Sequence, residues 1–167
     1  PDADRLGIYA LDTKSGEYVP FTGNMSGMLI AEYILRERRA TETMPENPAL
    51  VTTIVTTNMA KAISDEYKVK CIEVLTGFKY IGEQIKWFEE SGFSNYVFGL
   101  EESYGCLAGT HARDKDAIVA IVASRYFSEQ RWRWINLKKD LQKVMKTFEE
   151  IKEQYNKYPY MSRDWYV

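Results

Sequence analysis

The residues best suited to chemistry gather between Val97 and Asp116, in VFGLEESYGCLAGTHARDKD. A short apolar run (Tyr96, Val97, Phe98) stops at Gly99. Two carboxylates, Glu101 and Glu102, follow, then Ser103, Tyr104 and Gly105. After a polar loop come Arg113, Asp114, Lys115 and Asp116, and then an apolar helical run, AIVAIVASRYF. A buried strand thus delivers acceptors and a hydroxyl to its C-terminal edge, and cations follow at the mouth of a helix. In open α/β sheets that edge is where ligands bind. Acceptors for hydroxyls beside cations for an anion suit a phosphorylated sugar.

Glu101 and Glu102 are neighbours, so in extended backbone they point to opposite sides. They make a poor acid/base pair across a glycosidic bond, which needs carboxyls about 5–9 Å apart on either side of a sugar. One of the two faces ligand. Arg113 and Lys115 would add positive charge near a phosphoryl group, where cations stabilise developing charge. Lys115 would also move a proton at a reacting hydroxyl if its pKa were depressed. Lys79 follows a strand directly and, taken alone, reads as a surface lysine. His111, the sole histidine, reads as a solvated loop residue. Asp2 and Asp4 alternate, so in an extended loop both face one side, with the hard oxygens that Mg²⁺ takes. Taken alone they read as a solvated end. No GxxxxGK[ST], HExxH or GxSxG occurs, which leaves NTPase, zincin and α/β-hydrolase readings without support.

The elements that must position these residues read as an α/β fold. LGIYAL (6–11) and EYVPF (17–21) bracket the turn-forming DTKSG and predict a β-hairpin. Thr22 or Asn24 caps a helix with a broad apolar face from Met25 to Leu35, ending in RERR, and Pro45 and Pro48 prevent its continuation. ALVTTIVTT (49–57) is β-branched and predicts a strand, MAKAISDEYK a helix, and KCIEVL (70–75) a strand. A turn and a helix then close at Gly92, and NYVFGL (95–100) is the next strand. The alternation implies a mostly parallel mixed sheet of about four strands flanked by helices, preceded by the hairpin. The loops at Asn58, in TGFK and in LEESYG then share one edge. Beyond Phe127, EQRWRWIN interleaves cations with tryptophans and reads as helix-end packing rather than a surface for nucleic-acid bases. Residues Leu137 to Tyr155 carry an amphipathic stripe that reads as core.

The bulk properties narrow the partners. Its 167 residues suit one domain with a sizeable core, and Lys+Arg 22 against Asp+Glu 24 gives a formal charge of -2. No global field recruits nucleic acid or an anionic membrane. Cys71 and Cys106 lack CxxC spacing and read as reduced, buried thiols. No signal peptide or transmembrane-length stretch occurs, which suggests a cytoplasmic protein. The chain begins at Pro1, inside a motif and without methionine, and reads as a fragment.

Four motifs in order carry a resemblance: PDADR at 1–5, TGN at 22–24, TGFKYIG at 76–82, and GLEESYG followed by RDKDA. Together they resemble the α-D-phosphohexomutases, the phosphoglucomutase and phosphomannomutase superfamily. The resemblance covers roughly residues 1–125 well and the tail loosely. There KTFEEIKEQYNKYPY has Pro159 where the family has glycine, and residues 128–145 look like an insertion.

The resemblance implies the third, sugar-binding domain of four, at residues 22–167. Residues 1–21 would be the end of the preceding metal-loop domain. The parent would interconvert sugar 1- and 6-phosphates through a phosphoserine, a bisphosphorylated intermediate and Mg²⁺. TGFK and EESYG favour phosphoglucomutase, or the related phosphopentomutase, over phosphomannomutase. The family pattern selects Glu101 with Ser103 as sugar contacts, and places Lys79 in a loop that helps fix sugar identity. It makes Asp2 and Asp4 metal ligands and has Arg5 steer the phosphoserine. The first aspartate of the family's DPDADR is missing, which implies weak or no metal binding. The implied partners are a phosphorylated sugar and the missing domains of the parent, with no nucleic acid and no membrane. Without those domains this piece should not catalyse. A stand-alone sugar-phosphate-binding module is the alternative.

Overall fold

The computed structural model describes residues 2–12 and 14–125. Strands β1 (Tyr9–Leu11) and β2 (Tyr18–Pro20) form the expected antiparallel hairpin, with Tyr9 opposite Pro20 and Leu11 opposite Tyr18. Its turn is held by the Asp12 carboxylate, which accepts from the Lys14 amide and the Ser15 hydroxyl, both at 3.0 Å. Helix α1 (Gly23–Ala40) is capped by Thr22, whose Oγ1 accepts from the Met25 amide at 3.2 Å. Arg38 and Arg39 occupy its last turn, where cations face exposed carbonyls.

The main sheet has the order β4-β3-β5-β6. Strands β3 (Pro48–Thr53), β4 (Lys70–Val74) and β5 (Asn95–Leu100) are parallel, and β6 (Cys106–Ala108) runs antiparallel beside β5. Helix α2 (Met59–Tyr67) links β3 to β4, and α3 (Phe78–Ser91) links β4 to β5. Residues 117–125 are helical and are called α4. Because β3 sits between β4 and β5, the connections after β3 and β5 diverge, which is the arrangement that opens a crevice at the strands' C-terminal ends.

Alternation along β3 separates two apolar layers. Leu50 faces α1, α2 and α4, packing with Met28, Leu35, Met59, Ile63 and Ala120. Ala49 and Val51 face α3, packing with Ile81, Ile85 and Phe88. Each such fully buried aliphatic side chain contributes about 1.5–3 kcal/mol. The pairing between β3 and β5 skips Val97, so Val97 and Phe98 both reach the α1 layer, as expected of a bulged strand.

Two strand expectations are corrected. The β-branched run 49–57 does not continue as a strand beyond Thr53. There the Thr56 hydroxyl accepts from the Thr53 amide at 3.2 Å, and the Thr56 amide donates to the Thr53 carbonyl at 3.0 Å. These bonds close a turn that strand propensity alone does not reveal. The stretch after Gly105, expected as loop, supplies β6. Among the described residues no helix is long and apolar enough to cross a membrane. The expectations for the end of α4, the Trp-rich stretch, residues 128–145 and the stripe up to Tyr155 lie outside the described residues.

Candidate functional site

The turn after β5 gathers three distant parts of the chain. Its backbone closes when the Glu101 amide donates to the Gly105 carbonyl at 2.9 Å. The Glu101 side chain is buried beneath it, 6% exposed, and its Oε1 accepts from the Ser103 hydroxyl at 2.8 Å. Carboxylate and hydroxyl are therefore already mutually oriented, and the lone pairs left on both make the pair a double acceptor for vicinal hydroxyls.

The N-terminal segment lies across this turn. Arg5 forms an antiparallel bridge with Gly105, the Leu6 amide donates to the Tyr104 carbonyl at 3.3 Å, and Arg5 Nη1 donates to the Ser103 carbonyl at 3.4 Å. The Ala117 amide, at the start of α4, donates to the Ala3 carbonyl at 3.0 Å. PDADR, EESYG and RDKD, far apart in sequence, thus meet at one place.

Lys115 lies at the centre of that meeting. Its ammonium is 2.8 Å from Asp114 Oδ1, 3.6 Å from Asp4 Oδ2 and 5.4 Å from the Phe78 ring centroid. Its stem runs so close to Gly105 that a Cβ there would stand 2.3 Å from Lys115 Cδ and 2.9 Å from Glu101 Oε1. Only glycine leaves room for both side chains. Burial alone would depress the Lys115 pKa, but the Asp114, Glu101 and Asp4 carboxylates outweigh it and hold the pKa above its ordinary value. In this chain the lysine is thus held as a cation among three carboxylates. The Asp114 carboxyl is correspondingly lowered, chiefly by its hydrogen bond from Lys115.

Other candidates fall around this cluster rather than in it. Arg113 turns its guanidinium to Glu89 on α3 and to the Thr110 and Ala112 carbonyls, at 2.8 and 3.1 Å. Lys79 is exposed in the first turn of α3, with its ammonium 4.7 Å from the Tyr80 ring centroid. Its neighbour Phe78 reaches the Lys115 ammonium, so the TGFK loop borders the site. His111 is half exposed, and its Nε2 lies 2.9 Å from Asp116 Oδ2. Asp116 also caps α4 by accepting from the Ile118 and Val119 amides. Its carboxyl is lowered, first by the His111 contact.

Asp2 and Asp4 offer hard oxygens, but among the described residues no three His, Cys, Asp or Glu side chains converge on one point. Asp4 faces Lys115 and Arg5 instead, with Arg5 Nε at 3.5 Å. Among the described residues, Asp2 and Asp4 thus stand without a third such donor beside them.

Sequence reasoning missed the partner of Glu102. Thr53 Oγ1, fully buried at the end of β3, donates to Glu102 Oε2 at 2.9 Å. No local signal in either segment points to this pair.

The family description "Phosphoglucomutase/phosphomannomutase, alpha/beta/alpha domain III" matches residues 22–150. The phosphoglucomutase of Staphylococcus epidermidis is 38% identical over 145 residues, 86% of this chain and 25% of that protein. The chain thus spans about a quarter of the length of the curated relatives it matches. Among solved structures, a phosphomannomutase candidate from Thermus thermophilus aligns with a TM-score of 0.65 at 20% identity. It covers 92% of this chain and 29% of that one. The Aspergillus fumigatus N-acetylphosphoglucosamine mutase, solved with GlcNAc-6P and magnesium, aligns at 0.53 and 16% identity, covering 78% and 33%. At such identities the structural likeness speaks for the fold alone, and the match over residues 22–150 carries the assignment: the chain belongs to the phosphoglucomutase/phosphomannomutase family, as its domain III.

Proposed function

We propose that this chain is the sugar-binding domain of a phosphohexomutase that interconverts sugar 1-phosphate and 6-phosphate, with glucose phosphate as the substrate. The observation that carries the reading is the Glu101–Ser103 pair, preset at 2.8 Å beside the Lys115 ammonium at the C-terminal edge of the sheet. The pair would hold two adjacent sugar hydroxyls, and the fixed cation would lie toward the phosphoryl group. Lys79 and Arg113, on the flanks, would contribute sugar identity and field. Arg5, on the segment that crosses the turn, would steer a phosphoserine brought by another domain. The choice of glucose follows the phosphoglucomutases among the relatives.

The remaining length of those relatives would supply the phosphoserine, the rest of the metal shell around Asp2 and Asp4, and closure of the cleft. Magnesium belongs to that larger assembly, as does a cytoplasmic setting. In the proposal, residues 1–21 belong with the metal-loop domain and residues 22–167 with the sugar-binding domain. Ile54, Val55 and Leu75 are 57%, 47% and 57% exposed along the same edge, an apolar rim suited to a neighbouring domain. The 167 residues alone would bind sugar phosphate weakly and turn over nothing, because a water-excluding cleft needs both walls.

The test is conversion of glucose 1-phosphate to glucose 6-phosphate by a protein carrying this chain and the remainder of the relatives' length. Glu101→Ala should lower kcat/KM by roughly a hundredfold, the scale of a lost charged hydrogen bond. Unchanged kcat/KM in that variant would overturn the role given to Glu101.

A further inference from the structure

Glu102 is held at both its side chain and its backbone. Thr53 has a single hydroxyl proton, and it goes to Glu102 Oε2 at 2.9 Å. The contact between the Thr53 and Thr56 hydroxyls, at 3.0 Å, must then be donated by Thr56, whose oxygen in turn accepts from the Thr53 amide. Both threonines are buried, at 0% and 7% exposure, so these bonds are shielded from solvent. On the backbone side, the Glu102 carbonyl rests against Gly23, where a Cβ would stand only 1.9 Å from the oxygen. The next residue, Asn24, accepts from the Thr57 amide at 3.1 Å. The loops 22–24, 53–57 and 101–105 are thereby tied to one another through Glu102 and its neighbours. Glu101 and Ser103 flank the tied residue and bond to each other.

Resting on the sugar-binding reading of this turn, we propose that Glu102 is a positioning residue: anchored by Thr53, it sets the turn that presents Glu101 and Ser103, and itself touches no sugar. The Thr53–Thr56 hydroxyl pair, formed in the turn where β3 stops, orients the hydroxyl that fixes that carboxylate. Sequence reading assigned no purpose to the second glutamate of the pair.

The experiment uses the 167-residue chain, glucose 1-phosphate as probe, and four variants: Glu102→Ala, Glu102→Gln, Thr53→Val and the Thr53→Val/Glu102→Ala double. Thr53→Val keeps shape and strand propensity while removing the proton. Affinity is read by titration, and amide hydrogen exchange is read at residues 101–105 in the ligand-free protein. Each alanine or valine single should weaken binding roughly tenfold, and the double no further than the worse single, since one hydrogen bond is being removed twice. Glu102→Gln, which still accepts from Thr53, should restore affinity to within about twofold. Exchange at 101–105 should quicken in both singles while α3 amides stay unchanged. Additive losses, or wild-type affinity in Glu102→Ala, would overturn the proposal. If the wild-type chain binds no sugar phosphate, independent binding by this domain fails. The anchoring then stands or falls on exchange alone, overturned if residues 101–105 exchange at wild-type rates in the singles.

Discussion

The Lys115 ammonium lies 3.6 Å from the Asp4 carboxylate and joins the first residues of the chain to the mouth of α4. Asp4 alternates with Asp2 as though for a metal ion, yet its nearest charges are Lys115 and Arg5. PDADR and RDKD are thus joined by this lysine as well as by backbone bonds. Lys115→Ala should release residues 2–6 from the turn, seen as faster amide exchange at Leu6. Because the lysine side chain is only 12% exposed, a stability loss on the order of 1 kcal/mol in urea unfolding should accompany it. Unchanged Leu6 exchange would show that the segment is held by backbone bonds alone.

Gly23 admits the Glu102 carbonyl at a distance no side chain tolerates. Gly23→Ala must push loop 101–105 away from α1, and overpacking of this kind costs about 1–3 kcal/mol. Urea unfolding should show that loss, whereas Gly16→Ala, in the exposed hairpin turn with nothing near its Cβ, should show only the smaller cost of a positive φ.

Asp116 both caps α4 and meets His111, and its folded pKa lies below the ordinary 3.8. A depressed carboxylate contributes stability that is present above the unfolded pKa and is lost as pH falls through the folded one. Thermal unfolding should therefore show Asp116→Asn less stable than wild type near pH 6. Asparagine still caps the helix, so the gap should narrow below about pH 4. A gap that stays constant down to pH 3 would remove Asp116 from the acid response.

Burial pushes the Cys106 thiol up to about 12 and also raises Cys71. At pH 8 Cys106 holds little thiolate, the reactive form. A thiol reagent should therefore label Cys106 slowly in the native chain, at a rate that follows unfolding across a urea series, whereas the partly exposed Cys71 is open to it. Rapid labelling of Cys106 without denaturant would contradict its buried placement.

The strands and the polar turn were legible because local signals mark them. An apolar run ended by Gly99 announces β5, and Gly92 marks the end of α3. What escaped notice was set by partners far along the chain or by competing side-chain bonds. Strand β6 has only three residues between glycines, and it exists because β5 offers an edge to pair with. β3 ends early because the Thr56 hydroxyl turns the backbone at a point where every residue favours a strand. Arg113 pairs with Glu89 on α3, and Glu102, to which the sequence gives no role, pairs with Thr53. Neither pairing is visible until the sheet brings the elements together.

The central claim is a preformed sugar-phosphate site in the turn after β5. It is tested most directly by titrating the ¹⁵N-labelled chain with glucose 1-phosphate and following each amide. The account predicts saturable shifts centred on Glu101, Ser103 and Lys115, lost in Ser103→Ala without loss of fold. No shift at millimolar ligand, or shifts that persist unchanged in Ser103→Ala, would contradict it.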